Sequence, residues 1–99
     1  MASYVSLFNF TTQGAKSFDQ SPTRALAFAN AAKKAGIKVR EVYWTIGQYD
    51  GLLVFETADD ETATSALLAL GALGNVRTTT LRAFTAAEMT RIIGKAPKL

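Results

Sequence analysis

An α+β fold with element order β-α-β-β-α-β is predicted by three observations. Apolar and β-branched residues cluster in four short stretches bounded by polar or glycine-rich turns. Two of the segments between them carry apolar residues at helical spacing. A turn, Gly47-Gln48-Tyr49-Asp50, joins the two central stretches into a hairpin. Two strand–helix–strand halves linked in this way fold as a ferredoxin-like unit, a four-stranded antiparallel sheet with two helices on one face. The chain has 99 residues, 48% of them apolar, which is enough for one core. Residues 1–94 are expected to form that single domain, with a short C-terminal helix, and residues 95–99 a fraying tail.

Each element has its own signal. The first strand, Tyr4–Phe10, points Val5 and Leu7 one way and Tyr4, Ser6, Phe8 and Phe10 the other. Apolar groups on both faces predict a central strand. Thr11–Gln20 is a polar connection with room for one helical turn around Gly14–Ser17. Ser21-Pro22 starts the first long helix, serine capping free amides and proline suiting the first turn. Its buried stripe is Ala25, Phe28, Ala29 and Ala32, its opposite row Arg24, Ala27, Ala31 and Lys34. Lys33 and Lys34 precede the terminating Gly36, where the helix dipole favours cations.

Ile37–Ile46 reads as the second strand, with Val39, Glu41, Tyr43 and Thr45 on one face and Arg40, Val42, Trp44 and Ile46 on the other. Gly51–Thr57 is the third. Asp59, Asp60 and Glu61 place negative charge at the start of the second long helix, whose core stripe is Ala63, Ala66, Leu67 and Leu70. Its outer row begins polar, with Glu61 and Ser65, and continues as Leu68 and Ala72. This fits either one exposed leucine or a helix touching a second subunit. Gly74-Asn75 breaks the chain before the fourth strand, Val76–Phe84. Thr85-Ala86-Ala87-Glu88 is a capping box that opens a short helix carrying Met89, Ile92 and Ile93.

Composition removes several kinds of chemistry. There is no cysteine and no histidine, so disulfides, thiolate nucleophiles, Cys/His zinc sites and imidazole acid–base catalysis are all excluded. No pattern of carboxylates supports a metal site, and no cofactor is called for. The net charge of +3 is spread thinly, Lys33-Lys34 being the only adjacent basic pair. Nucleic-acid binding, which needs a concentrated basic stripe, is not expected. The start of the chain does not resemble a signal peptide, and no apolar run approaches the roughly 18–20 residues of a membrane span. A cytoplasmic protein is therefore expected.

Two stretches carry a family resemblance. Gly47-Gln48-Tyr49-Asp50 is similar to the Gly-x-Tyr-Asp signature of the GYD-domain family of small bacterial and archaeal proteins. The run from Leu70 through Phe84, Leu70-Gly71-Ala72-Leu73-Gly74-Asn75-Val76-Arg77-Thr78-Thr79-Thr80-Leu81-Arg82-Ala83-Phe84, resembles its second signature. The opening Tyr4–Thr11 and the pair Gln13-Gly14 fit as well. Gly51 departs from the apolar or acidic residue expected after the aspartate, which points to a looser turn. The resemblance implies a compact, oligomeric ferredoxin-like module and no established reaction.

Tyr49 and Asp50 admit two readings. In one, an Asx-type bond from Asp50 holds the hairpin and Tyr49 packs over it. In the other, they form a carboxylate–phenol pair at the rim of an apolar cavity. Asp50 is then a general base whose pKa burial raises, and Tyr49 orients a carbonyl or phenol. Phe8, Tyr43, Trp44 and Phe55 are the candidate lining. Arg77 and Arg82, five apart and so on opposite faces, cannot both reach one cavity; one of them could offer a bidentate fork to an anionic ligand group, although surface ion pairing is the plainer account. Glu41 and Glu56 fall on neighbouring strands and read most simply as cross-strand charge pairs.

The sheet face left bare by the helices must carry either Tyr43 with Thr45 or Trp44 with Ile46. It is too apolar for water, which predicts a second copy, packed sheet to sheet or joined edge to edge into a continuous dimeric α/β-barrel, with the short C-terminal helix helping to cover the join. Three functions follow. The favoured one is a homo-oligomeric binding or assembly module without robust catalysis. The alternative is a cofactor-independent enzyme or binder of a small apolar or aromatic molecule, whose mark is a cavity of ~300 Å3 or more holding Asp50. The third is single-stranded RNA binding, with Phe8 or Phe10 and Phe55 as stacking residues.

Overall fold

The computed structural model describes all of residues 1–99. Strand β1 spans Ala2–Phe10, helix α1 Thr12–Lys16, helix α2 Ser21–Lys34, β2 Lys38–Trp44, β3 Gly51–Thr57, α3 Asp60–Ala72, β4 Val76–Ala83 and α4 Ala86–Ile93. The four strands form one antiparallel sheet in the order β2-β3-β1-β4. This is the ferredoxin-like arrangement, with α2 against β2 and α3 against β4 and β3.

The core lies between the sheet and these two helices. Tyr4, Phe8, Leu53, Phe55, Ile37, Ala32 and Ala63 are buried there. Tyr4 stacks on Phe55, its cross-strand neighbour, with ring centroids 5.1 Å apart. Two polar side chains are fully buried on the same face, and both are paired: Ser6 Oγ with Thr80 Oγ1 at 2.8 Å, and Thr57 Oγ1 donating to the Gly36 carbonyl at 3.3 Å. Along β3 the alternation is strict. Gly51, Leu53, Phe55 and Thr57 lie under the helices, while Leu52, Val54 and Glu56 lie half-covered on the bare face.

Several local expectations were altered by tertiary structure. Ser21 does not cap α2. The chain enters that helix from a 3-10 turn at Phe18–Gln20, so Gln20 is the cap residue, and the Ser21 hydroxyl accepts from Trp44 Nε1 at 3.1 Å instead. Arg24 leaves the outer row and donates to the Ser17 carbonyl at 3.0 Å. Strand β2 is shorter at both ends than its apolar run and has a bulge between Val39 and Glu41. One extra residue reverses the facing of everything before it. Val39 therefore shares the helix face with Val42 and Trp44, and not the face of Glu41 and Tyr43.

The molecule is long for its size. Its radius of gyration is 15.1 Å, against about 13 Å for a compact chain of this length, and its extents are 51 × 32 × 19 Å. Helix α4 has the anticipated capping box, Thr85 Oγ1 accepting from the Glu88 amide and Glu88 from the Thr85 amide. It makes few contacts with the other elements of its own chain.

Candidate functional site

The signature segments meet at one end of the sheet. Strand β3 begins at Gly51, opposite Phe8, so the last two residues of β1 have no partner on that side. Asp50 supplies one. Its amide donates to the Phe8 carbonyl at 2.9 Å, and its carboxylate accepts from the Phe10 amide at 2.8 Å. Thr45 closes the turn, its amide donating to the Asp50 carbonyl at 2.9 Å and its hydroxyl to the Tyr49 carbonyl at 2.6 Å. Gly47, at φ 122°, adopts a backbone conformation that residues with a Cβ rarely reach. The bond from Asp50 thus runs across to β1 and not back into its own turn. No hydrogen bond joins the Tyr49 hydroxyl to the Asp50 carboxylate.

The second signature closes the same end. Thr11 donates its amide to the Asn75 carbonyl at 3.1 Å and its hydroxyl to the Gly74 carbonyl at 2.5 Å. Gln13 reaches the Leu73 carbonyl and Asn75 Oδ1 at 3.1 and 3.0 Å. Gly14 is buried so close to the Asn75 carbonyl that a methyl group could not enter. Gly51 likewise lies beneath the Phe8 ring and against the Tyr43 carbonyl. The departure at position 51 therefore tightens this end, because only a residue without a side chain lets the ring lie flat on the strand.

Between this end and helices α2 and α3 lies a small apolar pocket of about 70 Å3. Phe8, Phe10, Phe28 and Leu53 form its depth, with Leu70, Leu73 and Trp44 at its sides. Ser21, Arg24 and Asn75 are its polar members. Of the residues singled out from sequence, Phe8 and Trp44 come together here. Tyr49 and Asp50 are half-buried in the turn and do not line it. Phe55 lies under Tyr4, deeper in the core. Tyr43 and Arg77 sit on the opposite, bare face, with Arg77 across from Asn9 and in no ion pair. The pocket is far below the size of an enclosed site for a drug-sized ligand. Phe10, Arg24 and Asn75 were missed as lining. The one sequence signal for them was the pairing of Gln13-Gly14 with Gly74-Asn75.

A second cluster was also missed. The Tyr4 hydroxyl donates to Asp60 in the first turn of α3, and Arg82 lies over both the Tyr4 and Phe84 rings, 5.5 and 4.6 Å from their centroids. Arg82 also meets Glu88 of α4 at 3.9 Å. Burial of the phenol, reinforced by the bond to Asp60, pushes the Tyr4 pKa up to about 12. The Thr62 amide holds Asp59 below the usual carboxylate range, and the Thr85 amide does the same for Glu88. Glu56 is occupied by Arg40 at 3.5 Å. No group of three or more carboxylates converges where a metal ion could be held.

The bare face is built in rungs. Tyr43, Leu52, Leu7 and Thr79 form one, and Glu41, Val54, Val5 and Leu81 the next. Lys38, Glu56 and Ser3 close one end, Asn9 and Arg77 the other. An apolar centre with a polar rim is the anatomy of a protein interface. Tyr43 is the only aromatic residue on it, since Phe8, Phe10 and Phe55 lie beneath the helices, out of reach of a stacking base.

A family model described as GYD domain matches residues 4–93. The chain belongs to the GYD domain family. A relative from Thermus thermophilus, named glutamine synthetase and cystathionine beta-lyase binding protein, is 30% identical over 90 residues, covering 90% of this GYD chain and 95% of the relative. The crystal structure of TTHA0845, also from Thermus thermophilus, matches with a TM-score of 0.55 at 26% identity, over 87% of this chain and 96% of that one. The GYD chain is thus similar to a small binding protein. No helix in it is long and apolar enough to cross a membrane.

Proposed function

We propose that this chain is a homo-oligomeric binding module whose targets are other proteins, metabolic enzymes such as glutamine synthetase among them, and that it acts without a reaction of its own. One observation carries the reading. Thirteen large apolar side chains are exposed, against seven apolar residues in the core. Two surfaces carry the reading. The bare sheet face, with Tyr43 and Leu81, pairs with a second copy. The outer side of the helix layer, where Leu68 is 70% and Leu73 65% exposed, meets the target. The C-terminal half of α3, from Ala66 to Ala72, is apolar all round, a pattern of helices buried on both sides. The relative's name supports a protein target. The engagement of Asp50 with the Phe10 amide and the small pocket both favour this reading over a small-molecule enzyme.

The test is titration calorimetry with glutamine synthetase and cystathionine beta-lyase from the organism that makes this chain. Saturable binding to either is expected. Leu68→Glu should weaken it at least tenfold, since burying a leucine contributes about 1.5–3 kcal/mol, while circular dichroism and sedimentation stay unchanged. Binding to neither enzyme, or a folded Leu68→Glu protein that binds as tightly as the parent, would overturn the proposal.

A further inference from the structure

We infer that α4 is an exchanged arm, the helix of each copy lying on the bare sheet face of the other; this rests on the self-association proposed above. The helix is eight residues long, a length that is marginal in water unless its apolar side is packed. Its own chain offers little packing, the Arg82–Glu88 pair and a half-covered Ile92 among it. Met89, Ile92 and Ile93 share one side, with Met89 47% and Ile93 61% exposed. The root of the arm is nevertheless held. Only Phe84 and Thr85 separate it from β4, and Arg82 grips both Phe84 and Glu88. The helix is capped and anchored, and much of its apolar stripe is left open by its own chain. Such a stripe is covered from outside the chain.

Area and symmetry identify the cover as a second copy. Four strands about 4.8 Å apart, each presenting seven residues of about 3.3 Å, give the bare face a footprint of roughly 440 Å2. That is little more than half of the ~800 Å2 that each partner contributes to a standard interface. An eight-residue helix covers about 12 by 10 Å; the arm a copy receives lies within the footprint of its bare face, so the arm it gives adds roughly 120 Å2 to each copy. The sheet alone is a weak interface, and the exchanged arms enlarge it by about a quarter towards that standard size. Every copy carries both the arm and the face, so a two-fold axis satisfies both at once.

The chain has no cysteine, so Met89→Cys introduces a unique thiol. The Met89→Cys protein, carrying a benzophenone maleimide, is mixed with its 15N-labelled counterpart, equilibrated, irradiated and digested for mass spectrometry. Sedimentation is run on the same samples and on the Met89→Asp/Ile93→Asp double variant. Expected are a dimer, cross-links joining light α4 to heavy peptides of β1, β3 or β4, and a dimer dissociation constant raised at least tenfold in the double variant. A dimer whose cross-links stay within one isotope, or whose affinity the double variant leaves unchanged, overturns the arm and spares the sheet-face dimer. A monomer at every concentration overturns the self-association itself, and the arm with it.

Discussion

Replacing Asp50 by alanine removes the one side chain that bridges the hairpin turn to the end of β1. The 2.8 Å bond to the Phe10 amide has an ionised acceptor and a half-buried donor. Hydrogen bonds to charged groups contribute about 1.5–3 kcal/mol net, and a buried donor left without its partner costs a similar amount. Phe10 is only half-buried, so water can reach its amide in the variant, and about 2 kcal/mol is the expected loss. For a chain of this length each kcal/mol moves the melting midpoint by about 4–8 °C. Asp50→Ala should therefore melt roughly 8–16 °C below the parent. Asp50→Asn keeps a neutral acceptor in the same place and should cost about 1 kcal/mol, on the view that charge-assisted bonds are about twice as strong as neutral ones.

Urea unfolding is the assay, at fixed protein concentration because the proposed self-association would make apparent stability depend on it. Trp44, the only tryptophan, sits beside this turn and reports the transition by fluorescence. Amide exchange supplies the local readout, with protection at Phe10 falling in both variants and further in the alanine one. A midpoint for Asp50→Ala within experimental error of the parent, with Phe10 still protected, would refute the bridging role. A stable Asp50→Asn protein that had lost a ligand-dependent activity would revive the alternative in which this carboxylate is a base.

Two more outcomes follow from the same geometry. Gly51→Ala would drive a methyl group into the Phe8 ring and the Tyr43 carbonyl, and overpacking of this kind costs about 1–3 kcal/mol; the same urea titration measures it, and a neutral effect would show that the ring lifts freely. Tyr4 holds its proton more tightly folded than unfolded, its pKa raised from 10.0 to about 12, so its stabilisation is complete below pH 10 and is lost as pH rises towards 12. Absorbance at 295 nm should show one of the three tyrosines ionising only together with loss of the fold, and Tyr4→Phe should abolish that late phase.

The elements were legible because their signals are local. The continuous apolar run Leu52–Phe55 in β3, the stripes of α2 and α3 and the capping box of α4 each depend on residues within a few positions of one another. Facing in β2 was not legible. Lys38–Glu41 alternates as smoothly as an unbulged strand, and the extra residue at Arg40 is decided by pairing with β3. Ser21 illustrates a choice between two good bonds, a helix cap or the Trp44 indole, that only tertiary structure makes. The site was half-readable for the same reason. Phe8 and Trp44 were reachable from their positions beside the hairpin, whereas Asn75 enters the pocket through a clasp with Gln13 across 62 residues, and Tyr4 meets Asp60 across 56.

The two signature stretches are best understood together, through what they fasten. Neither presents a free reactive pair. Asp50 completes the ladder on one side of β1 just beyond the start of β3, and Thr11 with Gln13 ties the other side to the turn after α3. Between them lies the end of β1, which without these bonds would fray over its last residues. Fixing it also fixes the C-terminal end of α3, because the Leu73 and Gly74 carbonyls are both held there. Leu73, which caps α3, borders the pocket and is still largely exposed at that end, and Leu68 lies five residues before it. Rigidity introduced at the signature end is thus transmitted to the surface proposed to meet a protein target. A pre-ordered surface loses less conformational freedom on binding. Loosening Asp50 should then weaken target binding even though the residue is far too recessed to touch the target.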